Sequence, residues 1–582
     1  MNPDELACQA LLNCLIREVA APEDQAWEDG GHLVIQLPRS GVTLRARLRR
    51  PSAGIGPRTA REVQVRQEGT WRDIGWQRLA DLIAAELTMA TGTVNAEFVS
   101  QVRDGHAAFA AILAARAERL GRTDHQVLNG SVLGGVAWAG AGGGDRIEAY
   151  LASEQALVAG HRFHPSPKTR QGAPQDWLRY APEAGARFPL RFLAVREETL
   201  AEEGDGSALD RLGGPVPPPG TRLLPVHPWQ FRLMTPQPWL RRAMDRGLLT
   251  DLGEGSREVV PTASVRTVYD PVADVFCKFS LNVRITNCLR KLAWYELPGA
   301  VVLTRRLAPV FAELGRKFPG TIMLGEPGYR TAALACRDAY EGLAVIVREG
   351  VRARIAPDVT PLLAASLTEP AGGLFDGRDG DWLLGWWQAY VRIVAPPVLD
   401  AFFGHGVVLE PHLQNVLVGV DGDGRPVQAV FRDLEGTKLV SSRHGALLAG
   451  LPPGVARGLA YDARRGWDRV AYCLLVNHLA EVAAAIADRC APAAECEREL
   501  WRQARQVLTE AAAEHGWPPE LRAVLAGVPL PGKANLRLRW YRDADRKAEY
   551  IPVPNPLRHL EPERGRLVPG QLNPGLPQLE HA

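Results

Sequence analysis

Between Val275 and Ile285 every odd position is apolar: Val275, Cys277, Phe279, Leu281, Val283, Ile285. The even positions after Phe276 are polar: Lys278, Ser280, Asn282, Arg284 and Thr286. A period of two is that of a β-strand with one face on a core, and a helix cannot sort side chains this way. The run therefore predicts a sheet-rich centre with Lys278 through Thr286 on one face. Just upstream, Pro261–Thr267 sets Ser264 and Arg266 on one face of an adjoining strand, and downstream Arg290 and Lys291 open the next segment. Such a row reads either as a polyanion-binding wall or as the solvated face of an antiparallel sheet. Composition weighs toward the wall. Only seven of the 68 basic residues are lysine, so arginine supplies generic positive charge and a retained lysine marks a candidate need for a compact ammonium. Lys168, Lys278 and Lys533 stand out on that ground.

Around this centre the pattern is helical. Apolar spacing predicts helices over 4–19, 77–90, 98–120 and 147–158, with a hairpin formed by His32–Leu37 and Val42–Leu48. Prolines and glycines thicken between 163 and 220, and from about 381 helices return, interrupted by strands near 415–420 and 427–432. Long amphipathic helices follow at about 467–489 and 497–514, and a proline-rich tail is expected to wrap the surface. At 582 residues the chain exceeds one ordinary core. The fold class expected is α+β in three subdomains, over 1–175, 176–380 and 381–582.

Several function classes drop out. The net charge of +2 gives no electrostatic case for nucleic acid or membrane, and no run approaches ~18 apolar residues. The opening Met1-Asn2-Pro3-Asp4-Glu5 is acidic where a signal peptide is basic, so a cytoplasmic protein is expected. Eight scattered cysteines without a C-x-x-C pair fit reduced thiols better than structural zinc or a disulfide framework. The Gly134–Gly144 patch is not followed by Gly-Lys-Ser/Thr and reads as a flexible turn. Serine-nucleophile and zinc-hydrolase motifs are lacking as well.

Three further segments carry candidate chemistry. The loop Gly160–Gly172 packs His161, His164, Lys168 and Arg170 between glycines, either to hold phosphate oxygens or simply as an exposed basic loop. His227-Pro228-Trp229-Gln230 reads as packing. Leu409–Val418 holds Glu410, His412 and Asn415, and Val430–Gly436 holds Asp433. An Asn opening one strand and an Asp closing the next is how kinase-like folds offer oxygen ligands to nucleotide-bound magnesium.

Taken together, these segments resemble the NRPS-independent siderophore synthetases, the family of the aerobactin synthetases. The resemblance covers roughly 145–555 and rests on six motifs in order: G-H-x-x-H-P-x-x-K-x-R-x-G at 160–172, H-P-W-Q at 227–230, S-x-R-T at 264–267, K-F-x-L-x-x-x-I-T-x-x-x-R at 278–290, E-x-H-x-Q-N at 410–415 and R-D at 432–433. It implies a thumb, fingers and palm fold that binds ATP and a carboxylate. Carried over, Ser264, Arg266 and Lys278 would meet the ATP phosphates, closed over by Lys168, Arg170 and one of His161 and His164. Arg162 stands where the family often has proline, and the choice between the two histidines stays open. Thr286, Arg290 and His412 would hold substrate carboxylates, and Glu410, Asn415 and Asp433 would serve Mg2+ or the nucleotide. Arg290, His412 and Lys278 would be the catalytic set. The resemblance further implies adenylation of citrate, or of a citryl or succinyl derivative, and condensation with an amine, hydroxylamine or alcohol by a possible homodimer. The rival readings are a kinase-like phosphotransferase, for which the H-x-D-x-x-x-x-N motif is lacking, and a non-catalytic citrate or nucleotide sensor.

Overall fold

The computed structural model describes residues 2–50, 56–122, 146–285, 288–369, 373–543, 549–558 and 560. The glycine patch at 134–144, Thr286 and nearly all of the proline-rich tail lie outside them.

The fold is α+β. The N-terminal helix Pro3–Leu15 begins with a capping box, in which Asn2 and Glu5 satisfy each other's backbone N–H groups. It packs with helices Trp76–Thr91 and Phe98–Arg122 on a five-stranded antiparallel meander that contains the expected hairpin, His32–Gln36 against Thr43–Arg50. Leu536 and Trp540, from the far end of the chain, complete this core.

The centre is one eight-stranded sheet, antiparallel throughout. In spatial order its strands are Leu200–Gly204, Gly328–Ala332, Val345–Glu349, Val275–Phe279, Thr267–Asp270, Leu249–Pro261, Phe188–Arg196 and Thr221–Val226. The alternating run that predicted this sheet is two strands, not one. At Ser280 the hydroxyl turns to the carbonyl of Glu341, and Leu281–Ile285 leaves the sheet to pair with Cys288–Arg290. Nor do Ser264 and Arg266 lie on a strand. They form the hairpin tip between Pro261 and Thr267, where Val265 adopts φ 67°. Both differences arise from long-range pairing, to which a local period is blind.

The third core is the largest and lies between helices Gly380–Phe403, Ala463–Ala487 and Ala493–Glu514 and a four-stranded sheet, Thr321–Met323, Pro426–Phe431, Val416–Val420 and Thr360–Leu363. It also takes in helix Glu296–Lys317, ahead of the expected boundary at 381. Helix Ala463–Ala487 is long and apolar enough to cross a membrane, but 89% of its apolar window is buried inside the protein, as in a core helix. Its stretch Tyr472–Leu479 is π-helical, which brings Tyr472, Val476 and Asn477 to the wall of the central cleft. Cys490 and Cys496 are joined in a disulfide, which corrects the expectation of reduced thiols throughout. Cys8, Cys14, Cys277, Cys336 and Cys473 are free.

Candidate functional site

A cleft of about 1500 Å³ opens where the three cores meet, larger than a pocket for one small ligand. His161, His164, Lys168, Arg170, Ser264, Arg266, Arg290, Glu410, His412, Asn415 and Asp433 all line it. Segments separated by about 270 residues of sequence, His161 and Asp433 at the extremes, thus meet in one place.

Lys278 is the exception. It is fully buried behind the wall, and its ammonium lies 2.5 Å from Asp433 and 2.9 Å from Glu435. The expected face of Lys278 is therefore a sheet face covered by carboxylates. Arg266 reaches Glu435 at 2.5 Å and donates to the carbonyl of Arg290 at 3.2 Å. Arg348, which the sequence did not single out, pairs with Glu326 at 2.6 Å and with Asp433 at 3.0 Å. Burial would raise the carboxyls of Asp433 and Glu435, but the cations outweigh it. Asp433 is held well below the usual range by Lys278 and Arg348, and Glu435 is held at about 2 by Arg266 and Lys278. Burial would likewise lower Lys278, yet Asp433 and Glu435 push it up to about 12. Asp433 sits at φ 73°, a strained conformation for a non-glycine residue, fixed here by its two cations.

A second network ties the wall together. Glu154 accepts from Arg432 at 2.5 Å and from the N–H of Ala263 at the hairpin tip, and Arg432 also donates to the carbonyl of Gln414. The hairpin, the helix Arg146–Gln155 and the Glu410–Asn415 loop are thereby locked in register.

The basic loop is not a solvated surface. Phe163 through Arg170 are buried, and Glu183 takes Lys168 on one side and Nη2 of Arg170, which reaches both carboxylate oxygens at 2.7 and 2.8 Å, on the other. The guanidinium of Arg170 also lies 4.8 Å from the ring centroid of Trp177. His161 is the histidine that stays exposed in the cleft, while His164 is buried.

Four histidines share one local device. Nδ1 accepts from the N–H two residues on: Phe163 for His161, Ser166 for His164 and Trp229 for His227, each at 3.1 Å, and Gln414 for His412 at 3.2 Å. For His164, His227 and His412 the bond places the hydrogen on Nε2, whereas Nε2 of His161 lies 2.9 Å from the side-chain amide nitrogen of Asn477. Burial lowers His412, and desolvation by the surrounding cleft walls lowers His161 to about 4 even though its surface is open to the cleft, with Arg17 and Lys533 adding to the effect. His412 is thus a neutral Nε2–H donor, ill-suited to accept a proton there.

For magnesium the fit is partial. Asn415 opens one strand and Asp433 follows the end of its neighbour, the two joined by the N–H of Arg432 to the carbonyl of Asn415 at 3.0 Å. Asn415 Oδ1 and Asp433 Oδ2 accept no hydrogen bond among the described residues, so two oxygens are available to a hard cation that otherwise keeps water and phosphate. Glu410, expected beside them, is instead engaged by Arg469 and lies against Gly436. Among the described residues no three His, Cys, Asp or Glu side chains gather as a metal centre.

Residues 149–369 match the IucA / IucC family, and 385–548 match the family described as ferric iron reductase FhuF-like transporter. The L-2,3-diaminopropanoate–citrate ligase of Staphylococcus aureus is 30% identical over 70% of this chain and 75% of its own length. The chain belongs to the IucA/IucC family. Its likeness to the rhizobactin siderophore biosynthesis protein RhbC of Rhizobium meliloti runs nearly end to end, at 27% identity over 96% of this chain and 98% of that protein. Among solved structures, ATP-bound aerobactin synthetase IucA of Klebsiella pneumoniae superposes with a TM-score of 0.78 at 24% identity, covering 95% and 99% of the two chains. That likeness confirms the fold.

Proposed function

We propose that this member of the family is an ATP-dependent ligase that adenylates a carboxylate, citrate or a citryl derivative, and passes the acyl group to a nucleophile. The observation that carries the reading is Arg290. Its side chain lines the cleft and makes no ion pair among the described residues, while its carbonyl is held by Arg266 next to the Lys278–Asp433–Glu435 network. A cation left unpaired at the edge of a buried ionic network is suited to an anionic substrate. The relatives support the acyl choice, one being named a citrate ligase and the neighbouring structure being ATP-bound.

Attack of a carboxylate on the α-phosphate brings two anions together. Arg266 and Ser264 at the hairpin tip, with Lys168 and Arg170 opposite, line the cleft where the triphosphate would lie, and Arg290 would take the carboxylate and align it. Lys278 acts from behind by fixing Asp433 and Glu435. Asn415 and Asp433 would hold magnesium, which when bound neutralises phosphate charge. His412 would donate Nε2–H to a substrate oxygen.

Incubation with ATP, citrate and hydroxylamine should yield a hydroxamate with AMP and pyrophosphate. ADP as the nucleotide product would favour the phosphotransferase and overturn the proposal, and turnover of neither nucleotide would leave a sensor. Because His412 is placed as a donor, His412→Gln, whose amide reaches the Nε2 position, should retain about tenfold more hydroxamate-forming rate than His412→Ala. Equal rates for the two variants would remove that role.

A further inference from the structure

The carboxylates lining the cleft are nearly all committed to cations. Glu154 belongs to Arg432, Glu183 to Lys168 and Arg170, Glu410 to Arg469 and Glu481 to Arg162. Around the reacting wall the charges close three against three: Glu326, Asp433 and Glu435 with Arg348, Lys278 and Arg266. Glu296 is a fourth negative charge beside this set, and it makes no ion pair among the described residues. One of its oxygens accepts the N–H of Ala293 at 2.9 Å. Glu369 is another cleft carboxylate with no ion pair among the described residues, but it is buried near Lys168 and Arg116.

Two aromatic rings adjoin Glu296 and also line the cleft. Trp294 and Tyr295 meet edge to face with centroids 5.9 Å apart. Helix Pro453–Leu459 clamps them through glycines: a Cβ at Gly454 would come within 2.6 Å of the Trp294 ring, and one at Gly458 within 2.9 Å of Tyr295. A carboxylate that makes no ion pair, in a cleft also lined by two fixed aromatic rings, suits an ammonium group.

We propose that Glu296 is the docking carboxylate for the attacking nucleophile, and that this nucleophile is a primary alkylamine delivered as its ammonium ion. The inference rests on the adenylating reading above. The ammonium gives one proton to the Glu296 carboxylate, and the freed lone pair forms the N–C bond to the acyl carbon. The C–O bond to the adenylate phosphate breaks, and AMP leaves with its electron pair. Of the two protons left on the nitrogen, one passes to water and the other stays as the amide N–H.

Burial, then the charge of Glu435, raises the Glu296 carboxyl to about 7, against the lowering influence of Arg266, Lys278 and the Ala293 N–H. Lys438 faces it from strand Lys438–Val440, its ammonium held on the carbonyl of Glu435 at 2.5 Å, and Arg457 lies on the clamping helix. A carboxyl balanced near neutrality both attracts an ammonium and accepts its proton.

The test uses the full chain with ATP and citrate and compares capture by hydroxylamine, a weak base that enters uncharged, with capture by 1,3-diaminopropane, L-2,3-diaminopropanoate, D-ornithine, spermidine and 1,3-propanediol. The wild type should acylate at least one alkylamine in preference to the diol, its rate rising with pH through about 7 as Glu296 ionises. Glu296→Gln should raise KM for that amine about 10- to 100-fold and flatten the rise, while hydroxamate formation falls by less than about threefold. Glu296→Asp, which keeps the charge, should recover part of the amine affinity. An unchanged amine KM in Glu296→Gln overturns the proposal, as does preference for the diol over every amine, or equal loss of both captures in both variants. A wild type that forms no hydroxamate sinks the adenylation reading itself, and the proposal with it.

Discussion

Arg290→Ala should lose on the order of 10²-fold or more of the hydroxamate-forming rate while unfolding close to the wild-type temperature. The two halves of that expectation have separate sources. Structurally, the side chain is half-buried and contributes no ion pair among the described residues, whereas the local main chain is held through its carbonyl by Arg266, a bond that alanine keeps. Chemically, the reaction must hold a carboxylate against a polyphosphate, and the removed guanidinium acts where the two charges converge. Arg290→Lys should recover little of the loss, because a point charge does not reproduce a bidentate fork. Steady-state hydroxamate assays beside thermal unfolding decide the matter. Full activity in Arg290→Ala would move the carboxylate site elsewhere on the wall, with Arg284, exposed on the neighbouring strand, the next residue to examine.

How far the sequence reached can be judged at particular residues. Alternation located the strands within 275–285, because a strand with one face on a core must alternate, and the strands expected near 415–420 and 427–432 are found paired at 416–420 and 426–431. It could not show the exchange of partners at Ser280, since that depends on Glu341 and Cys288–Arg290 arriving from elsewhere. It misjudged the setting of Lys278 for the same reason: the residue lies on the polar face as expected, but Asp433 and Glu435, over 150 residues on, cover that face. The turn at Val265 was hidden because a β-branched residue at positive φ carries no turn signal. The histidine loop and the Glu410–Asn415 segment were legible, being dense in unusual residues. Arg348 and Glu296 were not. One sits in the ordinary apolar strand Val-Ile-Val-Arg-Glu and the other reads as a first-turn helix acid, and each acquires its meaning only from charges brought by distant segments.

Glu183→Gln should destabilise the seat of the basic loop more than any other single change, costing about 3–5 kcal/mol, because it strands two buried cations. Lys168 and Arg170 both end on this one carboxylate, and all three side chains are almost wholly buried. Burial would raise the Glu183 carboxyl, but Arg170 and Lys168 outweigh it and hold it at about 2. Lys168 moves the other way: burial lowers it, and the repulsion of Arg170 adds to that, so its share of Glu183 does not restore it. The two directions agree once the carboxylate is seen as shared, with the Arg170 guanidinium, one nitrogen on both oxygens, keeping it ionised whatever the state of the lysine. Since the folded pKa lies below the ~4.3 of an unfolded glutamate, this contribution is fully present above that pH and is lost as pH falls toward 2. The gap in thermal unfolding temperature between wild type and Glu183→Gln should therefore be widest near neutral pH and narrow on acidification below about 4. On the alkaline side the variant should recover in part, because Lys168, its partner gone, sheds its proton more readily than an exposed lysine. A gap constant from pH 3 to 9 would show that Glu183 acts by packing alone, and the loop would then owe its place over the cleft to something other than this shared charge.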